Sequence, residues 1–148
     1  SSDVCSSDLI KEQERQRGRT YNQNWVVFDK DDFPENDFNS AILSARQNGF
    51  EVAYSNQAFE FWFLLHFNLY QGALHRSRYE KMLSTLLGFA YTKKSGVSSK
   101  MFNALFLKQE QAINHAKTIM KQFDGNNPAQ QESSTTVYRL VEELNNFL

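Results

Sequence analysis

The sequence predicts an α/β fold: a small parallel sheet built on a βαβ unit, flanked by helices, with a helical C-terminal half. Three observations lead there. Trp25-Val26-Val27-Phe28 is a continuous apolar run that ends in Asp29, Asp31 and Asp32. A strand pattern, a helical pattern and a second strand pattern then follow one another within about 30 residues, the length of a βαβ unit with a right-handed crossover. Beyond residue 59, apolar residues recur at three- and four-residue spacing.

The chain has 148 residues, 41% hydrophobic and 14% aromatic, enough for one packed domain. With 16 basic and 17 acidic residues the net charge is −1, so bulk electrostatics supply no general attraction to nucleic acid or anionic lipid. Any phosphate recognition must be local. No apolar run reaches the roughly 20 residues needed to cross a bilayer, so no membrane association is expected and the chain reads as cytoplasmic. The single cysteine, Cys5, provides neither an internal disulfide nor a thiolate zinc cage and suits a reducing compartment.

Residues 1–9, Ser-Ser-Asp-Val-Cys-Ser-Ser-Asp-Leu, have no periodicity and join a charged helical pattern abruptly. Asp3 to Leu9 back-translates to a common sequencing-adapter read, so residues 1–9 are taken as a non-native segment and residues 10–148 as the domain. Residues 10–20 read as the solvated tail of a helix. Asn24 to Asp29 is the first strand, its unbroken apolar run typical of burial on both faces. Asn36 to Asn48 places Phe38, Ala41, Ile42 and Ala45 on one helical stripe, with Gly49 at the left-handed C-cap. Phe50 to Tyr54 is the second strand.

Ser55 and Asn56 then introduce Phe59-Glu60-Phe61-Trp62-Phe63-Leu64-Leu65-His66-Phe67, apolar around its whole circumference and expected to be the central buried helix. Arg76 to Leu87 is amphipathic, with Tyr79, Met82, Leu83, Leu86 and Leu87 on one side. Gly88 to Ser98, with Lys93-Lys94, reads as a mobile loop. A longer helix from Ser99 to about Gln122 is expected to bury Phe102, Leu105, Phe106, Ile113, Ala116 and Met120. Asp124 to Ser133 reads as a linker. A last helix, capped near Ser134 or Thr135, carries Val137, Leu140, Val141, Leu144 and Phe147 on a core-facing stripe.

In a parallel βαβ unit both strands end at one edge, where α/β proteins bind ligands. That edge gathers Asp29, Asp31, Ser55 and Asn56. Asp-x-Asp at a strand end suits a hard cation such as Mg²⁺, which takes one or two carboxylates plus water and phosphate; a polar turn ending a strand uses the same residues. Glu60 lies in the most apolar segment and needs a partner, for which Arg46, Arg76 and Arg78 are at hand. It reads equally as a first-turn glutamate favoured by the helix dipole. Ser55 and Asn56 fit an anion at a helix N-terminus or simple capping. His66 falls on the opposite side of the helix from Glu60 and reads as a core histidine, and His75 as an exposed loop residue. There is no HExxH, no phosphate-binding glycine loop and no nucleophile elbow.

Val-Val-Phe-Asp-Lys-Asp-Asp-Phe-Pro at 26–34, Ala-Tyr-Ser-Asn-Gln-Ala-Phe-Glu-Phe-Trp-Phe-Leu-Leu-His-Phe at 53–67 and Ser-Ser-Thr-Thr-Val-Tyr-Arg-Leu-Val-Glu-Glu-Leu at 133–144 resemble the RloB-like family, which includes AbiLii-type phage-resistance proteins. The resemblance implies a Toprim-like α/β fold, an origin in bacterial restriction-modification or abortive-infection loci, and a neighbouring ATPase partner. It implies Mg²⁺ or Mn²⁺ for nuclease chemistry on DNA or RNA, with Asp29 and Asp31 as metal ligands, Asp32 and Glu60 assisting catalysis, and Ser55 and Asn56 meeting the substrate. Trp62 matches the second motif. Gln57 and Ala58 stand where the family commonly has Pro and Cys. The family's first strand and its glutamate have no counterpart here, so the chain reads as an N-terminally truncated fragment holding half of the metal site. The competing expectation is a non-catalytic subunit that docks on the ATPase through aromatic surfaces and the terminal helix. Self-association is left open.

Overall fold

The computed structural model describes Leu9 and residues 11–13, 15–18, 21–93, 97–123 and 127–148. Residues 1–8 of the presumed adapter segment, Lys94 and Gly96 of the glycine-containing loop, and residues 124–126 of the presumed linker lie outside them. Residues 11–13 and 15–17 are helical and mostly exposed, as their charge pattern requires.

Strand β1 (Trp25–Asp29) pairs in parallel with β2 (Glu51–Asn56), from Trp25 opposite Glu51 to Asp29 opposite Ser55. Helix α1 (Glu35–Gln47) makes the crossover. It opens behind Pro34 and closes at Gly49, whose φ of 83° admits the left-handed exit that glycine makes without strain. The βαβ unit thus stands as expected.

Alternation along β2 divides the core into two layers. Val52 and Tyr54 face α1 and pack with Val26, Phe28, Phe38, Ile42 and Phe50. Ala53 faces the opposite way, toward Phe61, Leu64, Leu65, Tyr79, Leu83 and the later helices. Burying each large side chain contributes about 1.5–3 kcal/mol. β1 is less enclosed than its apolar run predicts, because Val27 is exposed. Among the described residues β1 has a strand neighbour on one side only.

The central apolar segment is buried as expected but is helical only over α2 (Glu60–Leu64), after which tight turns carry the chain to Phe67. Helix α3 (Tyr79–Leu87) follows a 3-10 turn at Arg76–Arg78 and buries Tyr79 and Leu83. The expected long helix from Ser99 is broken into α4 (Ser98–Leu105), a 3-10 turn (Phe106–Lys108) and α5 (Gln109–Met120). The break rotates the buried stripe: Met101, Leu105, Ala112, Ala116 and Ile119 face inward, while Phe102 and Phe106, expected in the core, are exposed.

The largest departure is at residues 127–136. The presumed linker instead contains a 3-10 turn (Pro128–Gln130), and Ser134 and Thr135, expected to cap the last helix, form a two-residue strand β3 (Ser134–Thr135) antiparallel to β2. Ser134 and Thr135 therefore extend the sheet to the order β1-β2-β3, and helix α6 (Val137–Asn145) starts beyond them. Val137 is buried and Leu140 and Val141 are partly buried, but Leu144 and Phe147 leave the body. No helix among the described residues is long and apolar enough to cross a membrane.

Candidate functional site: an acidic rim at the sheet edge

The strand ladder runs past the end of β1. Lys30 N–H donates to Ser55 O at 3.0 Å and Asp31 N–H to Gln57 O at 2.8 Å, so the acidic turn is fastened to the chain leaving β2. Asp31 takes a left-handed φ of 46°, a conformation Asp tolerates better than most side chains. Phe33 N–H closes the turn on Lys30 O.

Asp29 is half-buried at the strand end, and its carboxyl is pushed up to about 6. Burial is the main cause; a hydrogen bond from Phe59 N–H opposes it, and the nearby carboxylates of Asp31 and Glu60 raise it further. Asp29 thus lies within electrostatic reach of both Asp31 and Glu60, with β1, its turn and the start of α2 each supplying one carboxylate.

Glu60 finds its partner in an unforeseen place. Its Oε1 lies 3.3 Å from Lys93 Nζ and accepts from Tyr91 Oη at 3.2 Å. Both come from the loop after α3, and the carboxylate holds the Lys93 ammonium above its ordinary value and raises the Tyr91 phenol after burial. Arg76 instead turns to the aspartates, with Nη2 2.5 Å from Asp32 Oδ2 and Nε 3.7 Å from Asp31 Oδ1. Asp32, whose side chain is 85% exposed, is held below the usual carboxylate range by that guanidinium. Its hydrogen bond goes to Arg76, at the solvent side of the turn.

Ser55 and Asn56 reach the expected edge but turn inward. Ser55 is 0% and Asn56 1% exposed. Ser55 Oγ bonds Thr135 Oγ1 at 2.8 Å, while Asn56 Nδ2 donates to Pro128 O and Ala129 O at 3.0 and 2.9 Å. Ser55 Oγ and Asn56 Nδ2 serve the junction with β3 and its preceding turn rather than a solvent-facing surface. The anion reading also fails locally, because α2 starts at Glu60 and is only five residues long. Gln57, one residue on, ties the rim together: its Oε1 accepts from Arg76 N–H at 2.8 Å and its Nε2 donates to Glu132.

His66 is buried, with Nδ1 2.9 Å from Trp62 O, and burial lowers its pKa, as suits a core histidine. His75 is exposed and its ring accepts from Ser77 N–H.

Among the described residues no three Asp, Glu, His or Cys side chains stand close enough to hold a metal ion by themselves. The donor set nevertheless suits a hard cation held by the two carboxylates Asp29 and Asp31 and completed by water and phosphate. The signal that sequence reading missed lay in Lys93 and Tyr91: a buried Glu60 required a cation, and three arginines drew attention away from a loop lysine.

No curated protein and no solved structure matches the chain. The family model described as RloB-like protein matches residues 4–144, nearly the whole length, and the chain belongs to the RloB-like family.

Proposed function

We propose that this is a phage-defence protein of restriction-linked loci and that its acidic rim is a Mg²⁺- or Mn²⁺-dependent site for cutting phosphodiesters. The observation that carries the reading is Asp29: a carboxyl raised to about 6 at a strand end, with Asp31 and Glu60 close enough to feel. A structural turn needs no such crowding of like charge.

Asp29 and Asp31 would hold the ion, which when bound supplies positive charge to a phosphoryl oxygen and makes water a better nucleophile. Glu60, fixed by Tyr91 and Lys93, contributes a carboxylate whose position is set before substrate arrives. The test is incubation of the protein with labelled DNA and RNA, with and without Mg²⁺ or Mn²⁺, beside the double variant Asp29→Asn/Asp31→Asn. Divalent-dependent cleavage that disappears in the variant is expected. Absence of cleavage, with a Tm indifferent to millimolar Mg²⁺, would overturn the reading.

A second reading has its own observation. The apolar stripe of α6 leaves the body at Leu144 and Phe147, a surface that a neighbouring ATPase subunit could cover. Phage protection that survives Asp29→Asn/Asp31→Asn but is lost in Leu144→Asp/Phe147→Asp favours this scaffold role.

A further inference from the structure

From Lys81 to Gln109 the chain carries Lys81, Lys93, Lys94, Lys100 and Lys108 and no Asp or Glu, in a molecule whose overall charge is −1. Glu80 and Glu110 bracket the stretch. Of these lysines, Lys93 lines an aromatic hollow, and Lys100 and Lys108 sit beside residues that line it.

The α4 segment forms one wall of a hollow of about 520 Å³, faced by Phe59, Phe63 and Tyr91 on the other. Phe59 and Phe63 meet edge to face at 5.3 Å, and Phe63 continues to Tyr91 at 6.2 Å. On the open side stand Phe102 and Phe106, 66% and 52% exposed, their rings 5.4 Å apart and within 8° of parallel. Two large apolar side chains are thus left largely in solvent as a stacked pair.

Lys93, 70% exposed at its side chain, lines this hollow and also pairs with Glu60, so the hollow adjoins the acidic rim. Exposed Lys100 and Lys108 flank the aromatic pair, each with its ammonium over a neighbouring ring, Phe89 at 5.8 Å and Phe67 at 5.5 Å. Glu60, the acid that meets Lys93, is buried and paired with it.

We infer that this face binds unpaired single-stranded nucleic acid, with bases stacked on Phe102 and Phe106 and in the hollow, and Lys93, Lys100 and Lys108 along the phosphates, leading the strand to the rim. Stacking platforms interleaved with lysines are what a single strand requires, and a duplex keeps its base faces out of a concave aromatic site. The inference rests on the proposed nuclease reading for its last step, delivery to the rim, but binding itself needs no metal.

The experiment is fluorescence anisotropy of a labelled pyrimidine oligonucleotide in EDTA, beside its duplex and an abasic strand of equal length. The intact protein is expected to prefer the base-bearing single strand at least tenfold over both. Phe102→Ala/Phe106→Ala, which removes exposed side chains, should weaken that strand tenfold or more at unchanged Tm. Lys93→Gln/Lys100→Gln/Lys108→Gln should flatten the slope of log affinity against log salt by about 2, from about 0.7 per phosphate contact. Equal binding of duplex or abasic strand, or an affinity untouched by the Phe102→Ala/Phe106→Ala change, overturns the inference; a protein partner lost in that variant while strand binding persists does so too. Strand binding in EDTA, with no cleavage once Mg²⁺ or Mn²⁺ is supplied, refutes the metal site and leaves this face standing. Cleavage indifferent to Phe102 and Phe106 does the reverse.

Discussion

Asp29→Asn should stabilise the protein at neutral pH. The carboxyl is raised from 3.8 to about 6 in the fold, chiefly by burial and then by Asp31 and Glu60, against a favourable hydrogen bond from Phe59 N–H. In the unfolded chain the same group ionises near its ordinary value. Between those two values the folded protein holds the proton more tightly, so stability falls as pH rises from about 4 to 6 and stays lower above it. Two units at about 1.4 kcal/mol each give a ceiling near 3 kcal/mol, and solvent screening of a half-exposed group brings this to about 1–2 kcal/mol. Asparagine keeps an acceptor for Phe59 N–H and carries no charge at any pH. Thermal melts of both proteins from pH 4 to 7.5 isolate the effect, since other titrating groups cancel in the difference. At pH 4 the two should nearly coincide; at pH 7.5 the variant should melt about 2–8 °C higher. Parallel curves, or a variant less stable at pH 7.5, would show that the carboxylate is comfortable where it is and would remove the main support for the rim as a site. Saturating Mg²⁺ should narrow the gap by stabilising only the parent.

Three further outcomes follow from contacts elsewhere. Asn56→Ala unbinds the carbonyls of Pro128 and Ala129 in the interior and should cost about 2–4 kcal/mol, read from the urea midpoint. Phe61→Ala, in the buried layer behind β2, should cost about 3–5 kcal/mol by the same assay, whereas Phe147→Ala, on the exposed stripe, should stay within about 0.5 kcal/mol. Arg76→Gln should return the Asp32 carboxyl toward its ordinary titration range, seen by NMR, and should enlarge the Mg²⁺-induced rise in Tm by freeing Asp31 from a competing cation.

The parts of this fold legible in the sequence are those written locally. The apolar run of β1, the stripe of α1 and the glycine behind it each sit within a few residues, and all three stand. Strand β3 was not legible because two polar residues carry no period. Its anchorage is the set of hydroxyl contacts between Tyr54, Ser55, Thr135 and Thr136, made across some 80 residues of chain. Helical spacing at 99–122 identified apolar stripes correctly but not which one faces inward, and the 3-10 break at Phe106–Lys108 changed the answer for Phe102 and Phe106. At the candidate site parallel strand geometry put Asp29, Asp31, Ser55 and Asn56 at one edge, but not the proximity of Glu60 to Asp29 nor the inward turn of Ser55 and Asn56. The basic partners could not be assigned that way, since Lys93 and Arg76 arrive through tertiary packing of later elements.

The late return of residues 127–136 to β2 also dictates when the sheet can close. Tyr54 N–H waits for the hydroxyl of Thr136, and Asn56 for carbonyls at 128 and 129, so these bonds have to span loops of more than 70 residues. During synthesis the N-terminal βαβ unit emerges with one flank of its second strand bare, and Gln57, which braces the rim against Glu132, has nothing to grip. The unfinished polypeptide on the ribosome therefore lacks the Gln57–Glu132 brace beside its acidic turn.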